Sequence, residues 1–182
     1  MHIKTKVLDR LFGAAFDAFV REEAPGLLMD VHEQNSCGRL AIHLDREVQR
    51  AGLKGYFVDT EYNRKQDARV KTVIDDELQV IRIRCDLILH SRGDIPIQDN
   101  LIAVEMKKAG RPAQEREADM KRLMLMTRRT FDGIWSTGDG IPPEHVCGYG
   151  VGIFIEVASS VHRITLSYFK DGALTKDRVV SF

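Results

Sequence analysis

Hydrophobic positions recur every three or four residues at the start of the chain, where Leu8, Leu11, Phe12, Ala15 and Phe19 share one helical face. That spacing predicts an amphipathic helix, which Pro25-Gly26 is expected to end. A second stripe, Leu40, Leu44 and Val48, predicts a helix from about Gln34 to Ala51, with Gly52 just past its end as a stop signal. Counting back seven positions from Leu40 lands on Glu33, two turns earlier on the same face. A carboxylate therefore stands at the mouth of a core-facing stripe.

The period then changes. Tyr56–Asn63 (YFVDTEYN) alternates Tyr56, Val58, Thr60 and Tyr62 against Phe57, Asp59, Glu61 and Asn63, which predicts a strand. Lys65–Asp76 is polar and reads as a turn or an exposed hairpin arm. Leu78–Leu89 predicts a second strand region, interrupted near Cys85, and Arg92-Gly93-Asp94 with Pro96 marks a turn. Leu101–Lys107 predicts a third strand. After a Gly-Arg-Pro break, Ala113–Arg129 reads as a helix with Met120, Leu123, Met124 and Thr127 on one side. Tyr149–Val157 and Arg163–Phe169 predict two late strands. The order is helix, helix, three strands, helix, two strands, with no internal repeat and no linker. One α/β domain over residues 1–182, with an N-terminal helical extension over about residues 1–30, is the simplest organisation.

Composition narrows the class. The chain has 182 residues and is 43% hydrophobic, enough for a substantial core. No apolar run approaches the roughly 18–20 residues of a membrane span, so no membrane partner is expected. The opening MHIKTKVLDRLF has no uninterrupted apolar stretch of the kind a secretory signal needs. Cys37, Cys85 and Cys147 are widely spaced and form no Cys-x-x-Cys pair, which fits reduced, structural thiols and a cytoplasmic location. With 27 basic and 27 acidic residues the protein is no global binder of polyanions, so contact with nucleic acid requires a local basic patch.

Chemistry concentrates in LIAVEMKK (Leu101–Lys108), where Glu105 and Lys107 lie two apart and so on one face of an apolar strand. Asp86, nineteen residues before Glu105, opens the run DLILH. If the second and third strands pair as antiparallel neighbours, Asp86 and Glu105 meet at one end of the sheet with Lys107 beside them. Two carboxylates, water and a substrate phosphate suit Mg²⁺, with Mn²⁺ as a substitute. Such a metal activates a water against a phosphodiester, and Lys107 can orient that water or offset charge developing on the phosphate. Glu33 can complete the metal's surroundings, or it is simply an acid favoured by a helix N-terminus.

This arrangement, Asp86…Glu105-x-Lys107 on successive strands after a helix carrying Glu33, resembles the PD-(D/E)XK nuclease superfamily. The resemblance covers roughly Glu33 to Val157. It implies a restriction-endonuclease-like core of order α-β-β-β-α-β, a central mixed β-sheet flanked by helices. It also implies metal ligation by Asp86 and Glu105, assistance to the nucleophile from Lys107, and a supporting role for Glu33. Cys85 stands where the family name implies Pro, a position that does not ligate metal. EYNR (Glu61–Arg64), DLILHSRG and LIAVEMKK also resemble small uncharacterised bacterial members of that superfamily. The function implied is Mg²⁺-dependent hydrolysis of phosphodiesters, with DNA as the default substrate. A domain this small is expected to engage a duplex as a homodimer or within a larger complex.

Several residues carry a plainer reading beside the functional one. Without Asp86 and Glu33, Glu105 and Lys107 would be an ordinary same-face surface pair worth about 0–1 kcal/mol. Asp59, Glu61 and Asn63 fit a solvated sheet face, with Glu61 the best candidate for a site contribution. Arg64 either reaches a phosphate or pairs with Glu61. His90 shares a face with Asp86 and reads as structural. Lys107 to Arg129 holds eight basic against three acidic residues, which fits a solvated helix or a backbone-binding patch of Lys108, Arg111, Lys121 and Arg122. Gly148, Gly150 and Gly152 alternate within a strand and predict close approach of a packed helix. Two rival functions remain at this point: a catalytically silent binding or regulatory module that kept the fold, and a hydrolase of another phosphate ester such as a nucleotide.

Overall fold

The computed structural model describes residues 2–61, 72–75, 77, 79–82, 84–129 and 145–182. Within them, helix α1 (Thr5–Leu28) and helix α2 (Glu33–Arg50) precede strands β1 (Phe57–Thr60), β2 (Thr72–Ile74), β3 (Val80–Arg82), β4 (Leu87–His90) and β5 (Asn100–Lys108). Helix α3 (Ala113–Thr127) follows, then β6 (Val151–Ala158), β7 (Arg163–Lys170) and β8 (Ala173–Ser181). The result is an α/β architecture with a mixed sheet in the order β1-β4-β5-β6-β7-β8. Among the described residues only β5 and β6 pair in parallel, and α3 lies between them in the chain and packs on both.

Two apolar layers cover the sheet. On one face α1 and α2 bury Leu8, Phe12, Phe16, Phe19, Leu40 and Leu44 against Leu87, Leu89, Ile102, Val104, Met106, Ile153 and Ile155. Each buried Phe or Leu there contributes about 1.5–3 kcal/mol. On the other face Leu123 and Met126 of α3 meet Ile88, Ala103, Phe154 and Phe169. β5 is covered on both sides, which is why its sequence reads as a nearly continuous apolar run.

The predicted helices are present, with one correction at α1. Pro25-Gly26 does not end it; the helix runs through Pro25 to Leu28, and buried Leu27 anchors the last turn. A proline this close to a helix end forfeits a single backbone hydrogen bond. α1 also packs directly on the sheet as part of the main core. α2 stops as expected, with Gly52 at φ 66°.

The strand readings need more revision. β1 covers four residues of the predicted eight, and Tyr62 and Asn63 lie outside the described residues. The region predicted over 78–89 divides into two strands in different sheets, because β3 turns away to pair with β2 in a separate hairpin. That division falls close to the predicted interruption near Cys85. β8 has no counterpart in the prediction: it is an edge strand whose side chains are mostly exposed, so no apolar alternation marks it. Gly152 does admit a close approach, since a Cβ there would lie 3.1 Å from Thr127 Cγ2 and 3.3 Å from Leu123 Cβ on α3.

Candidate functional site

The β4–β5 pairing is antiparallel, with Leu87 opposite Val104. Continuing that register by one residue sets Asp86 opposite Glu105. Asp86 also accepts a hydrogen bond from the Met106 N–H through Oδ2, at 2.8 Å, which fixes its carboxylate against β5. Cys85 before it is buried and packs Sγ 3.4 Å from Met126 Sδ, so an apolar anchor under α3 holds the acid in place. The predicted convergence of Asp86 and Glu105 is thus the observed geometry, within the same end of the sheet as Lys107.

Glu105 is 2% exposed. Burial pushes its carboxyl up to about 8; the Arg122 guanidinium pulls against that shift, and the neighbouring Asp86 adds to it. Arg122 Nε, on α3, stands 2.9 Å from Glu105 Oε1. Arg122 also pairs with Asp119, one turn earlier on the same helix. Asp119 in turn holds Lys107, with Nζ 3.3 Å from Oδ2. Glu105, Arg122, Asp119 and Lys107 thus form a chain of alternating charge, its two ends on β5 and its two middle members on α3.

Glu33 sits at the first turn of α2, where its Oε1 accepts the Lys108 N–H at 2.9 Å. Arg111 grips both of its carboxylate oxygens, at 3.2 and 3.3 Å. Burial works against the charged form of Glu33, but Arg111 and the Lys108 N–H outweigh it and hold the carboxyl below its usual range. Among the described residues no three of His, Cys, Asp and Glu gather closely enough to hold a metal ion together. Glu33 therefore stands at a neighbouring station, fastened to the end of β5, while Asp86 and Glu105 make the carboxylate pair. Cys37, one turn along α2, faces all three acids; burial and their negative charge push its thiol far above the ordinary range, which excludes it as a nucleophile.

The residues proposed from sequence as a basic patch divide. Lys121 is half exposed beside Asp75, at 3.4 Å, and Lys108 contacts Asp30 through Nζ at 3.1 Å. Arg111 is held on Glu33. Arg122 points inward onto Glu105 and Asp119, because its neighbours Leu123 and Met126 fix that side of α3 against the sheet. Arg64 lies outside the described residues. Glu61 takes the left-handed region at φ 54°, donates its N–H to the Asp86 carbonyl at 3.2 Å and accepts from Gln34 Nε2 at 2.8 Å. It thus ties β1 and α2 to the acid pair without joining it. His90 is wholly buried and bonds Asp59 at 2.9 Å, while Arg92 adds two contacts to the same carboxylate. That arrangement agrees with the structural reading of His90.

Asp119 is the residue that sequence reasoning missed. It lies four before Leu123 and seven before Met126, on the core-facing stripe of α3. An acid on such a stripe was the signal, the same one that marked Glu33. Beyond Lys108, at the C-terminal ends of the parallel pair β5 and β6, an open depression of about 550 Å³ runs past Gly110, Ser159 and His162. Ligands of α/β sheets commonly bind at such ends.

Comparison of the chain with protein-family models, with curated proteins and with solved structures gives no match. No described helix is long and apolar enough to cross a membrane.

Proposed function

We propose that the chain is a metal-dependent phosphodiesterase of the PD-(D/E)XK type, with a restriction-endonuclease-like core, acting on nucleic acid and by default on DNA. The observation that carries this reading is the carboxylate pair Asp86–Glu105 with Lys107 on the same face of β5. Glu105 is buried and Asp86 half-buried beside it, a placement that costs stability and so points to a use. The donor set suits Mg²⁺ or Mn²⁺: two oxygen ligands from adjoining strands, one of them, Glu105 Oε1, buried without a hydrogen-bond partner. When bound, the metal would supply Lewis-acid stabilisation of a phosphoryl oxygen and a more acidic water.

The chain's own residues divide the remaining work. The Met106 N–H fixes Asp86, and the β5 backbone fixes Glu105, so the two ligands are preorganised by the sheet. Lys107, 20% exposed and tethered to Asp119, presents its ammonium where it orients a water or offsets charge on the phosphate. Glu33 supports the site by anchoring Lys108 and Arg111, which leaves those cations close to an incoming phosphate. Lys121 and Arg84, both largely exposed, supply further positive charge at the rim.

A second reading draws on a specific observation. Glu105 and Glu33 already have resident arginine partners, as in a silent binding or regulatory module that keeps the fold. The experiment that separates the two is calorimetric titration of Mg²⁺ and Mn²⁺ into wild type and Asp86→Ala, with plasmid nicking on the same samples. Binding and nicking that both vanish in the variant support the nuclease. Binding without nicking points to another phosphate ester as substrate. No binding up to several millimolar by a folded wild type favours the silent module.

A further inference from the structure

The chain of charges from Glu105 through Arg122 and Asp119 to Lys107 contains a feature that a settled ion-pair network lacks. Arg122 Nε and Glu105 Oε1 are 2.9 Å apart, yet each is a buried atom without a hydrogen-bond partner, so their contact is close but misaligned. Asp119 Oδ2 is in the same condition beside Lys107, at 3.3 Å. Buried ion pairs persist on structural merit only with good geometry and satisfied lone pairs. An arginine placed for stability would present its fork to both carboxylate oxygens. Here it brings a single nitrogen to Glu105 and spends a terminal nitrogen on Asp119.

The surroundings explain what the guanidinium does there. Asp86 and Glu105 are two acids side by side, and Asp86 disfavours the charged form of Glu105 while the guanidinium favours it. Lys107 pairs with Asp119 and acts on Glu105 only from a distance, which leaves Arg122 as the cation in contact with Glu105. Arg122 is also placed to leave: its side chain is 26% exposed against 2% for Glu105 and 6% for Asp119. We infer that Arg122 is the cation serving the acid pair in the metal-free protein, and that a divalent ion reaches Glu105 by displacing its guanidinium toward solvent. Arg122 thereby sets the metal affinity of the site. This inference rests on the metal-binding reading of Asp86 and Glu105.

The test is calorimetric titration of Mn²⁺ into EDTA-stripped wild type, Arg122→Met, Arg122→Lys and Glu105→Gln. Methionine keeps much of the length of the side chain and removes its charge. Competition predicts that Arg122→Met binds Mn²⁺ about tenfold more tightly than wild type, within the range usual for coupled sites. Glu105→Gln loses binding, and Arg122→Lys, which keeps the charge on a more flexible stem, falls between wild type and Arg122→Met. A structural role for Arg122 predicts the opposite sign, since loosening the site weakens a ligand. Unchanged or weaker binding in Arg122→Met, with binding still lost in Glu105→Gln, overturns the inference and leaves the metal site standing. Absence of Mn²⁺ binding in every protein overturns both. Should Arg122→Met fail to fold, Arg122→Lys decides by the same sign: tighter binding than wild type supports displacement, and unchanged or weaker binding refutes it.

Discussion

Replacing Glu105 with Gln tests the acid pair without any metal. The folded protein holds a proton on Glu105 up to about 8, whereas the unfolded chain releases it near the ordinary 4.5. Between these values the folded state binds more protons than the unfolded one. Stability therefore falls as pH rises through that window, and the contribution is fully present only below the unfolded value. Full linkage over the interval from 4.5 to about 8 has a ceiling of about 5 kcal/mol. Arg122 is a quarter exposed and can realign on the ionised carboxylate, so a loss of about 2 kcal/mol is expected.

The groups facing Glu105 are Asp86 before β4, Lys107 on β5, Arg122 and Asp119 on α3, Cys37 on α2 and Cys85. All are shared by wild type and Glu105→Gln, as are the histidines, so the difference between the two proteins isolates this carboxyl. The assay is urea denaturation in EDTA at steps from pH 5 to pH 8.5. Wild type should lose about 2 kcal/mol relative to Glu105→Gln across the window, and Glu105→Gln should be the more stable protein at the alkaline end. Equal slopes for the two proteins would refute the claim that Glu105 is a buried acid held beside another.

Other expectations follow from named contacts. On the proposed phosphodiesterase reading, Lys107→Met should fold normally and lower the cleavage rate by about 10²–10³-fold, with duplex binding by fluorescence anisotropy nearly unchanged; a comparable loss of binding would make Lys107 a docking residue instead. Gly152→Val should cost about 1–3 kcal/mol in thermal denaturation, because α3 leaves a side chain at that position only 3.1–3.3 Å. Asp59→Ala removes the carboxylate shared by buried His90 and Arg92 and should destabilise by about 1–3 kcal/mol without altering Mn²⁺ affinity; a change in that affinity would connect His90 to the site.

Asp86, Glu105 and Lys107 were legible because a strand's period of two fixes which side chains share a face, and because apolar flanks identified both strands. Leu8, Phe12, Phe19, Leu40 and Leu44 were legible for the corresponding helical reason. Asp119 and Arg122 were not paired with Glu105 in advance, since which face of α3 meets β5 depends on the parallel β5–β6 crossover, a long-range contact. β8 was illegible for a different cause: an edge strand with a solvated surface needs no apolar alternation. The split of residues 78–89 showed in the sequence only as an interruption near Cys85, because which sheet β3 and β4 each join is set by long-range pairing and not by local hydrophobicity.

The position of the acid pair follows from where β5 leaves the core. From Leu101 to Met106 the strand is buried, and at Lys107 and Lys108 it reaches partial exposure. Glu105 is the last residue on the α3 face to lie fully inside that cover. One position deeper on this face stands Ala103, packed by Leu123 and Met126, where a carboxylate would find no water. One position further out stands Lys107, where an acid would be solvated and would bind a cation weakly. Only at 105 does a carboxylate keep low-dielectric surroundings while remaining within reach of a solvent-facing group two residues away. The same boundary explains the guanidinium: Arg122 reaches Glu105 from α3 with a side chain that lies one side in the core and one at the surface, a quarter exposed, so it can meet the carboxylate when that ionises.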